Sequence, residues 1–223
     1  MIPPGVHLRV VGDVHGDARA FAHAVATDRF VVQLGDLTDG GSDSAEVLRL
    51  EIAMVREGRG VVLLGNHDLK LWRVLRGRKV RVAAPLQHTL GQLDDTLRGE
   101  AATMLGQAPA WLRRGSDIFV HAAFHKAMLA EDAPEVGDAH AEGALARAMY
   151  GETTGRTQAD GYPERAIGWV DEIPAGFTVY CGHDRRSSDG RPLVRHGHAG
   201  GRAVFLDTGA GKGGHLSWID LPG

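Results

Sequence analysis

The chain has 223 residues, enough for one substantial core, with 43% hydrophobic and 24% charged residues, a balance that excludes a disordered or membrane-spanning class. A net charge of -3 argues against gripping nucleic acid with the whole surface, and the single cysteine, Cys181, excludes an internal disulfide and a cysteine-rich metal site. Residues 1–5 bring no basic region into an apolar core, and no run approaches the roughly 18 apolar residues of a membrane span, so one cytoplasmic domain over residues 1–223 is expected.

Residues 6–11 read as a first strand, and Asp17 as the cap of a helix to residue 26 with Phe21, Ala22 and Val25 on its apolar face. Residues 29–34 form a second strand. Ser42, Asp43 and Ser44 are alternative caps for a helix reaching about residue 57, where Val47, Leu48, Ile52 and Val55 keep the helical period and Gly58 stops it. A third strand covers 60–64, a helix 69–76, and one or two more helices 89–106, before Pro109 and Gly115 punctuate the chain. Ile118-Phe119-Val120 is a strand running into His121, and residues 178–182 are one running into His183. Between them, 131–162 shows little strand pattern and reads as a helix plus a long surface loop bordering the site. Residues 184–201 look like another loop. Residues 202–206 form a strand ending at Asp207, and 215–219 is expected to pair with it as a closing hairpin.

Three times an apolar run ends in glycine and then offers a metal-loving side chain: Gly12-Asp13-Val14-His15, Gly35-Asp36 and Gly65-Asn66-His67. One Gly-Asp is ordinary turn chemistry. Three in series, separated by helices, bring the carboxyl ends of parallel strands to one edge, where α/β sheets bind ligands. Asp13, His15, Asp36, Asn66, His121 and His183, with Asp207 as a further candidate, are too many donors for one tetrahedral ion, and oxygen and imidazole without thiolate suit manganese, iron or zinc. Two ions are therefore expected, bridged by Asp36, the central carboxylate in strand order. Such a pair acidifies water and clamps phosphoryl oxygens, which is phosphoester hydrolysis. His67 is placed for a general acid, with Asp39 holding its ring.

Asp13-Val14-His15, Gly35-Asp36 through Asp39, Gly65-Asn66-His67-Asp68, His121 and Gly182-His183 together resemble the motif set of the calcineurin-like metallophosphoesterases, in the branch shared with serine/threonine phosphatases and diadenosine tetraphosphatases. The resemblance implies a four-layer α/β (α+β) fold, a central β-sandwich flanked by helices. It also implies one metal on Asp13, His15 and Asp36, a second on Asp36, Asn66, His121 and His183, and His67 with Asp39 as the acid pair. Manganese is the foremost metal, with iron, zinc, cobalt and nickel as alternatives. A narrower similarity links Asn66-His67-Asp68 with Lys70, Leu71 and Leu75-Arg76-Gly77-Arg78, and then Tyr150 to Gly155, to the phosphatase module of bacterial polynucleotide kinase-phosphatases. Asp207-Thr208-Gly209 fits its closing acidic motif, with Asp207 assisting a ligand. That module implies 2′ or 3′ phosphates of RNA and DNA as substrates; no P-loop lysine motif or ligase segment is present.

One departure stands out. The branch carries an arginine directly after the acid-pairing aspartate as a phosphate clamp, and this chain has Gly40. Losing it would cost about 2–4 kcal/mol of transition-state stabilisation. Arg185, Arg186, Arg165 and Arg78 are candidates to fill the gap. The expected substrate is a phosphorylated small molecule, nucleotide or oligonucleotide end, with a phosphoprotein or diadenosine tetraphosphate as the alternative; no membrane and no obligate protein partner is evident. A different class is a catalytically weak metal and phosphate-binding interaction module. The basic run over residues 70–81, with Lys70, Arg73, Arg76, Arg78, Lys79 and Arg81 and no acid, is a solvated face or a phosphate-positioning patch and favours a nucleotide or oligonucleotide.

Overall fold

The computed structural model describes residues 2–135, 142–158, 161, 163–187 and 189–223. Alternation along short strands decides its layering. In β1 (Leu8–Val11), Leu8 and Val10 face one way and Val11 the other; in β2 (Phe30–Gln33), Val32 and Val31 divide likewise. Leu8, Val10 and Val32 join Phe119, Tyr180 and Val204 in one buried cluster between two sheets, while Val11 and Val31 belong to a second cluster with helical residues such as Phe21 and Leu48. The result is a sandwich whose outer faces are covered by helices.

In the first sheet β1, β2 and β3 (Gly60–Val62) run parallel, Leu8 beside Phe30 and Val31 beside Gly60, joined by α1 (Ala18–Val25) and α2 (Ser44–Arg56). Asp17 caps α1 by accepting from the Ala20 N–H at 3.1 Å. Of the three candidate caps for α2, Asp43 is the one used, accepting from the Glu46 N–H at 3.0 Å. The apolar face of α1 carries Ala24 in place of Ala22, which is exposed. The second sheet places β5 (Asp117–Val120), β8 (Thr178–Cys181) and β10 (Arg202–Phe205) parallel to one another, with β4 (Trp111–Arg114) and β9 (Leu193–His196) antiparallel at its margins.

Several expectations fail here. The last strand, β11 (Trp218–Leu221), does not pair with β10: it lies antiparallel to β1, with Leu8 beside Leu221, Val10 beside Ile219, and an Arg9–Asp220 ion pair at 2.8 Å. Its apolar residues Ile219 and Leu221 thereby reach the sandwich interior. The 131–162 region contains α6 (Gly143–Tyr150) but also β6 (Glu152–Thr157), which forms a hairpin with β7 (Pro163–Ala166); residues 136–141, 159, 160 and 162 of that region lie outside the described residues. Exposure conceals such strands, because β6 and β9 lack the apolar alternation of a half-buried strand. The Arg156–Glu164 pair at 2.6 Å ties the hairpin across its two strands. Three further helices, α3 (Asn66–Leu75), α4 (Ala84–Gln92) and α5 (Asp95–Gln107), complete the cover. Among the described residues no helix is long and apolar enough to cross a membrane.

Candidate metal centre

The carboxyl ends of parallel strands in both sheets converge. Asp13 and His15 follow β1, Asp36 follows β2, His121 follows β5, His183 follows β8 and Asp207 follows β10. Asn66 and His67 differ from expectation: they open α3, because the Asp68 carboxylate accepts from the Gly65 N–H at 3.0 Å and starts the helix two residues after Leu64. The same carboxylate accepts from the N–H groups of Asp36 at 2.6 Å and Leu37 at 3.0 Å, so it joins the second and third loops. Sequence reasoning gave Asp68 no task; its quotation within Asn66-His67-Asp68 was the only signal. The Val14 and His15 N–H groups donate to the Asp36 carbonyl at 3.1 and 2.9 Å, tying in the first loop.

Among the described residues, the non-glycine residues with left-handed backbone are His15, Asp36, Asp39 and His183. All four were predicted site residues. L residues in that region carry a conformational cost, which the surrounding backbone hydrogen bonds must hold in place. Gly182 serves a different need: a side chain there would run into the Asp13 carboxylate. Without one, the His183 N–H donates to Asp13 Oδ1 and Oδ2 at 3.0 and 3.1 Å.

Two groups of donors face inward. His15 Nε2 lies 3.7 Å from Asp13 Oδ2 and 3.7 Å from Asp36 Oδ2. His121 Nε2 lies 3.4 Å from Asp36 Oδ1, 3.1 Å from Asn66 Oδ1 and 3.2 Å from His183 Nδ1. Asp36 therefore turns one oxygen to each group. His15 Nδ1 donates to the Thr38 carbonyl at 2.9 Å and His121 Nδ1 to the Leu34 carbonyl at 2.8 Å, which leaves Nε2 of each ring as the atom that can offer a lone pair. At His121 that lone pair is aimed at carboxylate and amide oxygens, acceptors facing an acceptor, an arrangement that a cation satisfies, while at His15 the Lys212 ammonium meets it at 2.8 Å. His15, Asp36 and His67 form one cluster of converging donor atoms and Asp36, His121 and His183 another, and together these oxygen and imidazole donors fit a dinuclear metal site. The Cys181 thiol is no part of it: it is buried, its pKa is pushed well up by that burial, and its Sγ points to the Val204 carbonyl.

Burial alone would push the Asp36 carboxyl up, but His121, His67, His15 and His183 together hold it below the usual carboxylate range. Asp13 goes the other way, raised well above that range by burial and by the neighbouring charges of Asp207 and Asp36. Burial lowers both His15 and His183. Asp207 accepts from the Gly209 N–H at 2.9 Å, which shapes the turn after β10.

His67 Nδ1 is 2.9 Å from Asp39 Oδ2, and the other oxygen of Asp39 accepts from the Thr89 hydroxyl at 2.7 Å. Thr89, on α4, was missed by sequence reasoning, since nothing about a lone threonine on a helix signals a partner fifty residues away. Burial opposes protonation of His67, but Asp36 and Asp39 outweigh it and raise the pKa above its ordinary value.

A cavity of about 420 Å³ opens over the two groups. His67 and Asp207 line it, with Arg165 from the hairpin of β6 and β7, Arg185 from the turn after β8, and Lys212 from the turn after β10. Of the four arginine candidates, Arg185 lies over Gly209 and Arg165 donates to the Tyr150 carbonyl at 2.6 Å. Arg186 is engaged with Asp184 at 2.7 Å and the Arg165 carbonyl at 2.7 Å, and neither it nor Arg78 belongs to the cavity wall. No residue of the basic run 70–81 lines it either. A larger hollow of about 640 Å³ beside Phe30 and Arg59 has no converging metal-type donors among the described residues.

The model of the family described as calcineurin-like phosphoesterase matches residues 6–147, more than half of the chain. The chain belongs to the calcineurin-like phosphoesterase family. This calcineurin-like phosphoesterase is 28% identical, over 96% of its length and 89% of the relative's, to a protein of Halalkalibacterium halodurans named bis(5'-nucleosyl)-tetraphosphatase PrpE (asymmetrical). It is 28% identical to the Bacillus subtilis protein of the same name over 87% of its length and 76% of that relative's. Among solved structures, a candidate diadenosine tetraphosphatase superposes with a TM-score of 0.64 at 20% identity, covering 100% of the chain and 96% of that structure. A serine/threonine phosphatase from Saccharomyces cerevisiae superposes with a TM-score of 0.60 at 13% identity, covering 94% and 70%. At those identities the likeness is one of fold, and it bears out the four-layer expectation. The chain is thus a metal-dependent phosphoesterase. The relatives are named for a dinucleoside tetraphosphate and not for polynucleotide ends, which corrects the narrower resemblance drawn from the sequence.

Proposed function

We propose that this phosphoesterase hydrolyses a dinucleoside polyphosphate such as diadenosine tetraphosphate into unequal halves, with manganese as its resident metal. The observation that carries the reading is the cationic cavity wall: Arg165 reaches it from the β6–β7 hairpin and Arg185 from the segment after β8, beside the two donor groups. A single phosphoryl group is already matched by the metal side of the cavity, whereas a chain of phosphates extends past it and meets these cations. The relatives' names point the same way. Phosphomonoester ends of RNA or DNA and phosphoproteins are the competing substrates, and the basic run at 70–81 is not on the wall to favour them.

Asp13, His15 and Asp36 would hold one ion, and Asp36, Asn66, His121 and His183 the other. The chemistry that two divalent ions supply when bound is acidification of a water and neutralisation of charge on phosphoryl oxygens. Asp36 keeps the two donor groups in register, and Asp207 shapes the turn that closes over them. Attack forms a new bond from water oxygen to phosphorus while the bond to the leaving oxygen breaks. His67, held through Nδ1 by Asp39, presents Nε2 and gives its proton to that leaving oxygen. Arg185 and Arg165 bind the phosphates further along the chain.

The test is a side-by-side rate comparison with added manganese on diadenosine tetraphosphate, an aryl phosphate, a phosphopeptide and a 3′-phosphorylated oligonucleotide. A kcat/KM for diadenosine tetraphosphate well above the other three supports the reading. Equal or greater efficiency on the oligonucleotide overturns it.

A further inference from the structure

We propose that Lys212 supplies the cation that grips the phosphoryl group under attack, taking the part left vacant by the absence of a side chain at Gly40. The proposal deepens the phosphoesterase reading of the same site and rests on it. Lys212 comes from the turn after β10, yet its Nζ lies 2.8 Å from Nε2 of His15, 197 positions away in the chain. Of the cations on the cavity wall, it is the one that hydrogen-bonds a candidate ligand. Arg185 and Arg165 line the same cavity without doing so.

The approach depends on glycine meeting glycine. A side-chain carbon on Gly40 would stand 3.1 Å from His15 Cβ and 3.3 Å from the Gly211 carbonyl oxygen. One on Gly211, whose φ is +66°, would run into the His15 carbonyl and stand 3.0 Å from the Gly41 nitrogen. The turn after Asp39 and the turn before Lys212 are therefore in backbone contact. A long side chain at position 40 would need the space that the second turn occupies. Having no side chain at 40 and delivering Lys212 over the metal centre are two sides of one packing solution.

The charge argument gives Lys212 its task. His15 Nδ1 donates to Thr38, so Nε2 accepts from the ammonium. With Asp13, His15 and Asp36 given to a cation, as the phosphoesterase reading assigns them, the His15 lone pair is no longer open to Lys212. The ammonium, on a flexible four-carbon stem, then turns to the next anion within reach, a phosphoryl oxygen over the ions. A lysine does this as a point charge with three rotatable donors, where an arginine would offer a fixed fork.

The experiment compares the metal-loaded full chain with Lys212→Gln and Lys212→Arg. Three quantities are read: inorganic phosphate binding by calorimetry, kcat and KM on diadenosine tetraphosphate and an aryl phosphate, and metal content by elemental analysis. Lys212→Gln should keep two ions per chain and bind phosphate about 10- to 100-fold more weakly, with kcat/KM falling in parallel and Lys212→Arg recovering part of both. Unchanged phosphate binding in Lys212→Gln overturns the proposal, as does a loss of metal that accounts for the whole effect. Failure of the underlying reading looks different: the wild type turns over no phosphoester, while the phosphate titration still reads Lys212 directly. A wild type that binds no phosphate overturns the proposal as well.

Discussion

Asp39 holds the His67 ring through Oδ2 and Nδ1 at 2.9 Å, and it does so from a left-handed backbone conformation at φ 69°. A proton donor fixed in this way matters most when the leaving oxygen is a poor leaving group. His67→Asn should therefore lower kcat on an alkyl phosphate by about 10²–10⁴-fold and on a nitrophenyl phosphate by much less. Steady-state rates on the two esters check this; equal losses on both would remove His67 from the proton-donating role.

Asp39 is also one of the groups that raise the His67 pKa, together with Asp36 and against burial. A general acid works only while protonated, so the rate falls as pH rises through its pKa. Asp39→Asn withdraws a raising influence, and the alkaline limb of the kcat profile should move to lower pH than in the wild type. Thr89→Val removes the hydroxyl that donates to Asp39 Oδ1 and leaves a buried acceptor unpaired, at about 1–3 kcal/mol of stability. It should change thermal unfolding more than the position of that limb. A Thr89→Val profile displaced as far as that of Asp39→Asn would contradict this division.

The donors were legible in the sequence because each follows a short apolar run, and the parallel β1, β2 and β3 bring those ends together as the spacing implies. The edges of the sheets were not legible. The strands β6 and β9 are exposed, so no alternation marks them, and β11 chose β1 over β10 because Ile219 and Leu221 complete the sandwich interior. Thr89 and Lys212 were invisible for another reason. Each is an ordinary residue in an ordinary element, and only the tertiary fold brings it to Asp39 or His15. Asn66 and His67 were read at the end of a strand but open α3, since the signal that starts the helix at Asn66 is the contact of Asp68 with Gly65.

Asp36 turns Oδ1 toward His121 and Oδ2 toward His15, so one side chain serves both donor groups. Chelation should abolish activity and manganese should restore it. Asp36→Asn keeps the shape, replaces one oxygen by an amide nitrogen and removes the charge that would help hold the cations. We expect a loss of at least one metal per chain and a fall in kcat on the order of 10³-fold or more. Metal content and turnover measured on the same preparation decide it. Full metal content with wild-type kcat would show that Asp36 does not link the two groups.

Glu51 lies fully buried on α2 with neither carboxyl oxygen hydrogen-bonded among the described residues. Burial, with the Asp68 carboxyl nearby, pushes its pKa up to about 8 from 4.5. The unfolded chain loses this proton near 4.5 and the folded chain keeps it to about 8, so the folded state binds more protons between those values. The stability contributed by the neutral carboxyl is complete below about pH 4.5 and drains away as pH rises toward 8. Glu51→Gln carries no proton to lose and should flatten that slope. At pH 8 and equal saturating metal, the variant should be more stable than the wild type by roughly 1–3 kcal/mol, with the gap narrowing toward pH 5. Denaturant unfolding of both proteins across this range measures the difference directly. Parallel curves would mean that Glu51 is ionised in the folded protein and finds a partner that its burial conceals.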